Sequence, residues 1–486
     1  MSLRRAAASA VKWKGTSTAI SQVLQFGRLV ILARLLAPGD FGLMGMITVI
    51  IGISETFSDG GVNSAVIHRQ DVTRDQLASL YWLNLTAGLA VFLLVWALTP
   101  VVVALYHEPR LADLMFWAAL TFLIAPVGQQ FRILMQKELR FQRLAQVEVA
   151  AAVVGTVVAV GSALEGGGVF ALIWGQLATA LTTSLLCLKL EWRTGGPRLH
   201  FRLNDLRGFV GFGLYQIGGR SLNKLSANVG HLIIGRFLGA EVLGFYMLAY
   251  RLVVIPFLKF NPMLTQVAFP VFARKQSDHA ALRRGYLEMI RMVAFVTFPI
   301  VVGVGATAPL FVPVVFGAKW LPAVPYIQIL AAFGVLRALT NPSGSLLLAK
   351  GRPDMAFTRA LATMAINVCV LLYVVQYGAL AVALAYTALT AVYFAAGLRW
   401  ILHPLIGLRP ADYLAVLLRP TAISVGMGVT VLVAYLALHH FWGSSVTLLG
   451  TLAVLGTMVY GSLMMTFERR YLVKNWRLLF HKEKEA

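Results

Sequence analysis

The chain has 486 residues, of which 58% are hydrophobic and only 13% are charged. A soluble globular protein is about a quarter charged and less than half apolar, so this composition excludes an ordinary soluble enzyme and indicates a membrane protein. The net charge of +22 is better explained by the Lys and Arg that collect in cytoplasmic loops of membrane proteins than by nucleic-acid binding. We therefore predict no nucleic-acid partner.

Fourteen apolar segments are long enough to cross a bilayer, since about 20 apolar residues span its hydrocarbon core. No long polar region separates them, so a soluble domain is not expected. They predict an all-α, polytopic membrane protein of about fourteen transmembrane helices. We number the segments 1 to 14; they cover roughly residues 11–36, 41–65, 78–106, 111–131, 144–163, 168–188, 208–235, 242–272, 287–315, 322–347, 357–376, 379–400, 414–438 and 444–466.

The charges between these segments predict the orientation of the chain. If the N-terminus is cytoplasmic, most of the 42 Lys and Arg fall in cytoplasmic loops and the tail. The opposite loops then hold only Arg34, Arg110, Arg236 and Lys319. Because Lys and Arg concentrate on the cytoplasmic side, this alternation predicts that both termini face the cytoplasm. The basic run at the N-terminus precedes no apolar core, so we do not predict a cleaved signal peptide.

An internal repeat suggests how the segments are grouped. ILARLLAPGDFG (Ile31 to Gly42) aligns with IIGRFLGAEVLG (Ile233 to Gly244) at a shift of 202, and both copies join an odd segment to an even one. Parallel repeats with a substrate site at their interface are a known transporter plan. We predict two pseudo-symmetric six-helix lobes plus a C-terminal helix pair: an N-lobe at 1–195, a C-lobe at 196–405, segments 13 and 14 at 406–470 and a basic cytoplasmic tail at 471–486.

Polar, cationic stripes run along segments 1 and 7, which are repeat partners. A charge inside a membrane helix costs at least about 2.5–3.5 kcal/mol on insertion scales, so such residues normally face a bundle interior or a wet cavity. Segment 8 adds cations, although Pro256 and Pro262 make its helical phase unreliable. We predict that these stripes line one aqueous cavity. Its candidate substrate-binding residues are Ser21, Gln25, Arg28, Gln216, Arg220, Asn223, Lys224, Arg251 and Lys259.

Two acids, Glu55 and Asp59, lie deep in the first half, on segment 2. They are candidates either for neutralising Arg28 or for coupling transport to H⁺ or Na⁺. A cavity lined by Arg and Lys suits an anion, because Arg in particular forks onto phosphate oxygens. Ser, Thr, Asn and Gln on the same faces can hydrogen-bond sugar hydroxyls. The residue pattern itself predicts a transporter of something anionic and polar.

Enzymatic and metal signatures are missing from the sequence. There is no GxxxxGK[ST], no HExxH and no pair of carboxylates in a large outer loop. The two cysteines, Cys187 and Cys369, both lie in apolar stretches and suggest neither a disulfide framework nor a metal site. We predict a protein that is not an enzyme and that needs no cofactor or metal.

Five stretches, in order along nearly the whole chain, resemble the polysaccharide transporter family. This is the Wzx-type branch of the multidrug/oligosaccharidyl-lipid/polysaccharide flippase superfamily, and the similarity is closest to colanic-acid exporters. The stretches are RLVILARLLAPGDFGLMGM (Arg28 to Met46), LMQKELRFQRLAQVEV (Leu134 to Val149), IIGRFLGAEVLGFYMLAYRL (Ile233 to Leu252), FGAKWLPAVPYIQILA (Phe316 to Ala331) and AKGRPD (Ala349 to Asp354).

The resemblance implies a flippase of the bacterial inner membrane whose two lobes open alternately to either side. Its cargo would be an undecaprenyl-pyrophosphate-linked repeat unit for exopolysaccharide, capsule or O-antigen, moved from the cytoplasmic to the periplasmic leaflet. A polysaccharide polymerase and a chain-length regulator would be partners. Family members place an Asp near the end of segment 7 where this chain has Gly230-His231, so an acidic coupling role would fall to Glu55 or Asp59.

Three alternatives remain open from the sequence. A cation-coupled multidrug exporter of the same superfamily needs acids in the cavity, whereas here the cations inside the segments outnumber Glu55 and Asp59. A lipid II flippase is a close relative that the sequence does not distinguish. A polysaccharide polymerase or ligase ranks last, because such an enzyme is expected to carry a sizeable periplasmic loop.

Overall fold

The computed structural model of the chain describes residues 3–58, 66, 72–195, 198–206, 210–254, 278–340, 342–350, 352–443 and 445–469. The side chains of residues 3–12, 14, 193–195 and 210–220, among others inside helices, are not described. We label the α-helices in chain order. They are α1 Leu3–Leu35, α2 Pro38–Ser58, α3 Arg74–Tyr106, α4 Leu111–Ala119, α5 Thr121–Lys137, α6 Phe141–Leu164, α7 Val169–Gly195, α8 Val210–Val253, α9 His279–Phe316, α10 Val324–Thr340, α11 Pro342–Ala349, α12 Pro353–Val374, α13 Ala379–Gly397, α14 His403–Ile406, α15 Pro410–Trp442 and α16 Val446–Phe467.

Helix ends follow from local capping chemistry. At α3, the Thr73 hydroxyl accepts a hydrogen bond from the Gln76 amide, and the Gln76 side chain accepts one from the Thr73 amide, which forms a capping box. Asp278 caps α9 through the Ala281 amide, and Ser445 caps α16 in the same way. These caps satisfy amide groups that a helix leaves unpaired in its first turn.

The prediction of an all-α, multi-pass membrane protein is confirmed: the regular elements of the described ranges are all helical, and twelve stretches are long and apolar enough to cross a bilayer. The predicted count of fourteen helices stays a prediction. Segments 7 and 8 both contribute to α8, which bends at Gly239, where φ is +84°. Residues 255–272 of segment 8 lie outside the described ranges, and α1 is not among the twelve stretches.

The outward surfaces of many helices are apolar, as lipid contact requires. Val101, Val157, Leu418 and Leu436 each expose more than half of their surface. A soluble monomer rarely exposes such apolar surface over large contiguous areas, because it would associate with other molecules. The hydrocarbon of a bilayer is the environment that this surface fits.

Contacts divide the chain into two compact units, residues 1–244 and 245–486. In the first, α6 packs against α1 and α7, and α5 packs against α3 and α7. In the second, α9 packs against α10 and α15, α10 packs against α13, and α15 packs against α16. The lobe boundaries expected from the sequence stay a prediction.

An ion-pair cluster in the second unit fixes the end of α16. The carboxylate of Glu468 is 3% exposed and accepts hydrogen bonds from Arg291 of α9 at 2.5 Å and Arg419 of α15 at 3.1 Å. A buried carboxylate needs such partners, because an unpaired one would lose its hydration without compensation. The predicted segments 13 and 14 are therefore held to α9 by charge as well as by apolar packing.

Candidate functional site

The ammonium group of Lys224 on α8 is held by two groups of α2. It donates a hydrogen bond to the backbone oxygen of Gly52 at 2.6 Å and forms an ion pair with Glu55 at 2.9 Å. The Lys224 side chain is 38% exposed and that of Glu55 is 49% exposed. One turn along the same interface, the hydroxyl groups of Thr56 and Ser221 are hydrogen-bonded at 2.7 Å. The first unit thus contains a polar seam between two apolar helices.

This ion pair joins two of the residues predicted from the sequence, but in a combination that the sequence did not indicate. The proposed neutralising partner of Glu55 was Arg28, and the ion pair that the structure shows for Glu55 is with Lys224. Since ion pairs inside a membrane offset the cost of inserting charge, the pair explains how both groups are tolerated on spanning helices.

The polar stripe on α1 is partly buried. Arg28 is half-buried and forms no ion pair with a described residue, and the hydroxyl of Ser21 is buried without a hydrogen-bond partner among the described residues. Gln25, one turn before Arg28, is exposed. The stripe therefore offers a guanidinium and a hydroxyl that have unused hydrogen-bonding capacity within the part of the chain that the structure describes.

The structure describes the side chains of only some of the remaining predicted site residues. Asn223 is exposed on α8, and Arg251 is half-buried near the end of that helix, in the second unit. Gln216 and Arg220 lie on α8, but their side chains are outside the described set. Asp59 and Lys259 lie outside the described residues. The convergence of all these cations on one chamber stays a prediction.

The two copies of the repeat touch each other at glycines. A Cβ atom added to Gly42 would lie 1.6 Å from the backbone oxygen of Ala240, and one added to Gly244 would lie 2.0 Å from that of Pro38. At the repeat shift of 202, Pro38 corresponds to Ala240 and Gly42 to Gly244, so the contacts are reciprocal. Only glycine permits backbones to approach this closely.

The sequence analysis predicted neither this contact nor the Thr56–Ser221 hydrogen bond. A signal for the contact was present, because Gly42 and Gly244 align within the repeat. The Thr56–Ser221 pair left no comparable signal, since Thr and Ser are tolerated at many positions of membrane helices through bonds to their own backbone.

Comparisons with known proteins agree with this geometry. The family described as "Polysaccharide biosynthesis protein" matches residues 31–325. The chain is 35% identical to the teichuronic acid biosynthesis protein TuaB of Bacillus subtilis, over 89% of this chain and 90% of that protein. It is 36% identical to the lipopolysaccharide biosynthesis protein WzxC of Escherichia coli, over 74% of this chain and 73% of that protein.

The fold also has a solved counterpart. The inward closed conformation of the lipid II flippase MurJ superimposes with a TM-score of 0.75, covering 94% of this chain and 99% of MurJ at 13% identity. At that identity the likeness concerns the fold alone. The matches to the family and to TuaB extend over most of the sequence. The chain belongs to the polysaccharide transporter family, a family of membrane transporters and not of catalytic enzymes, as its sequence resemblance predicted.

Proposed function

We propose that this protein is a flippase that moves a lipid-linked oligosaccharide across the bacterial inner membrane. The names of its relatives support a cargo on the way to a cell-surface polysaccharide, and the MurJ-like fold supports translocation of a lipid-linked sugar. The expected cargo is an undecaprenyl-pyrophosphate-linked repeat unit, carried from the cytoplasmic to the periplasmic leaflet. Both termini would face the cytoplasm.

The observation that carries the proposal is the half-exposed ion pair between Lys224 and Glu55. A cation shared with a single carboxylate can exchange that carboxylate for a pyrophosphate oxygen, because both are anionic hydrogen-bond acceptors. Lys224 would then hold the headgroup, with Arg28 and Arg220 as further ligands. Glu55 would be released to bind a proton or a sodium ion, which gives it the coupling role considered from the sequence.

The glycine contact supplies the moving part of this mechanism. Alternating access requires one end of a transporter to close while the other opens around the site. The reciprocal approach at Gly42 and Gly244 is the kind of contact that a twofold relation between repeats produces. We propose that this contact closes the end of the transporter nearest to Arg34 and Arg236, and that it separates when the protein opens there.

Two other functions are weaker candidates. A multidrug exporter of organic cations would need unpaired acid in its cavity, whereas Glu55 is already paired with Lys224. A lipid II flippase has the same headgroup chemistry and differs in the sugar.

A polysaccharide polymerase and a chain-length regulator remain proposed partners.

Purified protein in vesicles would test the proposal. The probe is an undecaprenyl-pyrophosphate-linked oligosaccharide with a fluorescent label on the sugar, and an impermeant reductant quenches label in the outer leaflet. With protein present we expect nearly all of the label to be quenched, because inner-leaflet probe reaches the outer leaflet. Quenching limited to the outer-leaflet share, under both a proton and a sodium gradient, would rule out the flippase.

A further inference from the structure

The segment between α7 and α8, residues 198–206, has the polarity of a membrane-interface element. Leu199, Leu203 and Phe201 are 93%, 75% and 50% exposed. Residues 199–202 are not helical and a short 3-10 helix begins at Leu203, so the three apolar groups lie close together along an irregular stretch of chain. Such exposure of large apolar groups on a short segment needs a covering environment.

Two polar side chains of the same segment, those of His200 and Asp205, turn toward the protein. Asp205 accepts hydrogen bonds from the Ser79 hydroxyl at 2.8 Å and from His200 at 2.9 Å, and the Arg202 amide donates to the Ser79 hydroxyl oxygen at 3.1 Å. The bonds from Ser79 and His200 lower the pKa of Asp205, so its carboxylate is ionised. The segment is therefore held to the protein by polar bonds, while its large apolar side chains are exposed beside the polar Arg198, Arg202 and Asn204.

Two further contacts fix the segment against the first turns of α3. The indole of Trp82 donates to the backbone oxygen of Arg198 at 2.9 Å. Leu206, only 5% exposed, packs with Leu80 and Ile133. An amphipathic Trp with a satisfied N–H is typical of the membrane–water boundary. Since α3 spans the membrane, these contacts hold the segment beside the lipid-facing surface of the first unit.

We propose that residues 198–206 anchor the chain in the bilayer surface, with Leu199, Phe201 and Leu203 inserted at the headgroup–acyl boundary of the adjacent leaflet. Arg198 precedes these apolar groups and Arg202 lies between Phe201 and Leu203; Arg198 is 54% exposed and is 3.7 Å from the exposed carboxylate of Asp75. Exposed cations beside inserted apolar side chains select anionic headgroups. The anchor joins α7 to α8, so it holds the connection between the two predicted lobes in the membrane plane.

Nitroxide labels in vesicles would test the depth of the segment. The exposed Cys369 is replaced by serine, and the remaining Cys187 is buried. In this background a nitroxide label is attached to each of three single-cysteine substitutions, Leu199→Cys, Leu203→Cys and Asn204→Cys. Asn204 is an exposed polar residue next to Leu203 and serves as the matched control. We expect the labels at 199 and 203 to collide with oxygen more than with a water-soluble nickel complex, and the label at 204 to show the reverse.

Two results would overturn the anchor. Equal nickel access at 203 and 204 would mean that the segment lies in water. Protection of 199 and 203 from both reagents would mean that protein covers them, either a second copy of the chain or another partner. Because this experiment measures depth without transport, its outcome is independent of the flippase proposal.

The lipid preference gives a second test. We expect the labels at 199 and 203 to lose nickel access further when phosphatidylglycerol replaces part of the phosphatidylcholine, and expect Arg198→Gln with Arg202→Gln to abolish that change. An unchanged response in the double variant would contradict the role assigned to the two arginines.

Discussion

The chain holds two carboxylates on or beside membrane-spanning helices in opposite ways. Glu468 is almost fully buried and is shared by two arginines from two other helices. Glu55 is half-exposed and is paired with the single lysine Lys224. A buried, doubly paired carboxylate cannot leave its partners without a large desolvation cost, whereas a half-exposed pair contributes little and exchanges readily.

We expect this difference to separate a structural ion pair from the pair that we propose acts in transport. The Glu468 cluster joins α9, α15 and the end of α16, and its carboxylate is 3% exposed. The Lys224–Glu55 pair joins α2 and α8, which also meet at the glycine contact between the repeats, about 20 Å away along α2. Removing each acid should therefore change different properties of the protein.

The largest expected effect is on transport, from Lys224→Ala. The loss of one charge-assisted hydrogen bond, about 1.5–3 kcal/mol, corresponds to a rate roughly 10–100-fold lower. The flipping rate of the variant in vesicles measures this loss. Lys224→Arg is the conservative control, and it should keep most of the transport activity.

A charge exchange makes this prediction sharper. Lys224→Glu combined with Glu55→Lys restores an ion pair while moving the cation from α8 to α2. We expect normal insertion and thermal stability but no recovery of transport, because the headgroup needs its cation on α8. Full transport in the exchanged protein would show that the pair is only structural.

The next effect concerns the glycine contact. Gly42→Ala places a methyl group against the backbone oxygen of Ala240, so the two hairpins cannot approach as they do here. We expect transport to fall roughly tenfold, as a cost of about 1–3 kcal/mol in the closed state allows. Gly39→Ala, in the same hairpin but with open space around it, should leave the rate unchanged. Equal rates for all three proteins would remove this contact from the mechanism.

Glu468→Gln should reduce stability while leaving the flipping rate per folded molecule nearly unchanged. Two arginines lose their anionic partner, and we expect unfolding to become easier by about 1–3 kcal/mol. Thermal unfolding in detergent measures this, and Asp354→Asn, which breaks an exposed pair with Arg352, is the control that should show no change. A variant as stable as the native protein would refute the structural role of Glu468.

The smallest expected effect is on the stability of the fold. It depends on pH and arises in the loop between α3 and α4. The hydrogen bond from Arg110 lowers the pKa of Glu108, so this pair stabilises the fold above the ordinary pKa of a glutamate. That contribution is lost as the pH falls through the lowered pKa. The melting temperatures of the native protein and Glu108→Gln should differ slightly at neutral pH and converge in acid. A difference that grows in acid would reverse the assigned sign.

Length and hydropathy were sufficient to predict most of the fold. Spans such as α6 and α16 follow directly from their apolar composition, because the bilayer sets both length and polarity. The sequence predicted segments 7 and 8 as separate helices, and within α8 two helices do meet at Gly239; that one glycine with positive φ forms the break, rather than a polar loop, was not predicted.

Lys224 and Glu55 were both predicted as site residues, and that role stays a prediction; their ion pair was not predicted. Helical periodicity assigns a residue to a face, and it contains no information about which face lies opposite it. For that reason Arg28, and not Lys224, was predicted as the partner of Glu55. The pairing depends on the close packing of α2 against α8, which Thr56 and Ser221 also reflect.

The most direct test compares two cargoes that differ only in charge: one oligosaccharide on undecaprenyl pyrophosphate and the same oligosaccharide on uncharged undecaprenol. The native protein should flip the pyrophosphate-linked cargo at least roughly tenfold faster, which a difference of about 1.4 kcal/mol would produce. Arg28→Gln and Lys224→Gln should lose that preference. Equal rates for both cargoes in the native protein, or an unchanged preference in both variants, would contradict the claim that these cations hold an anionic headgroup.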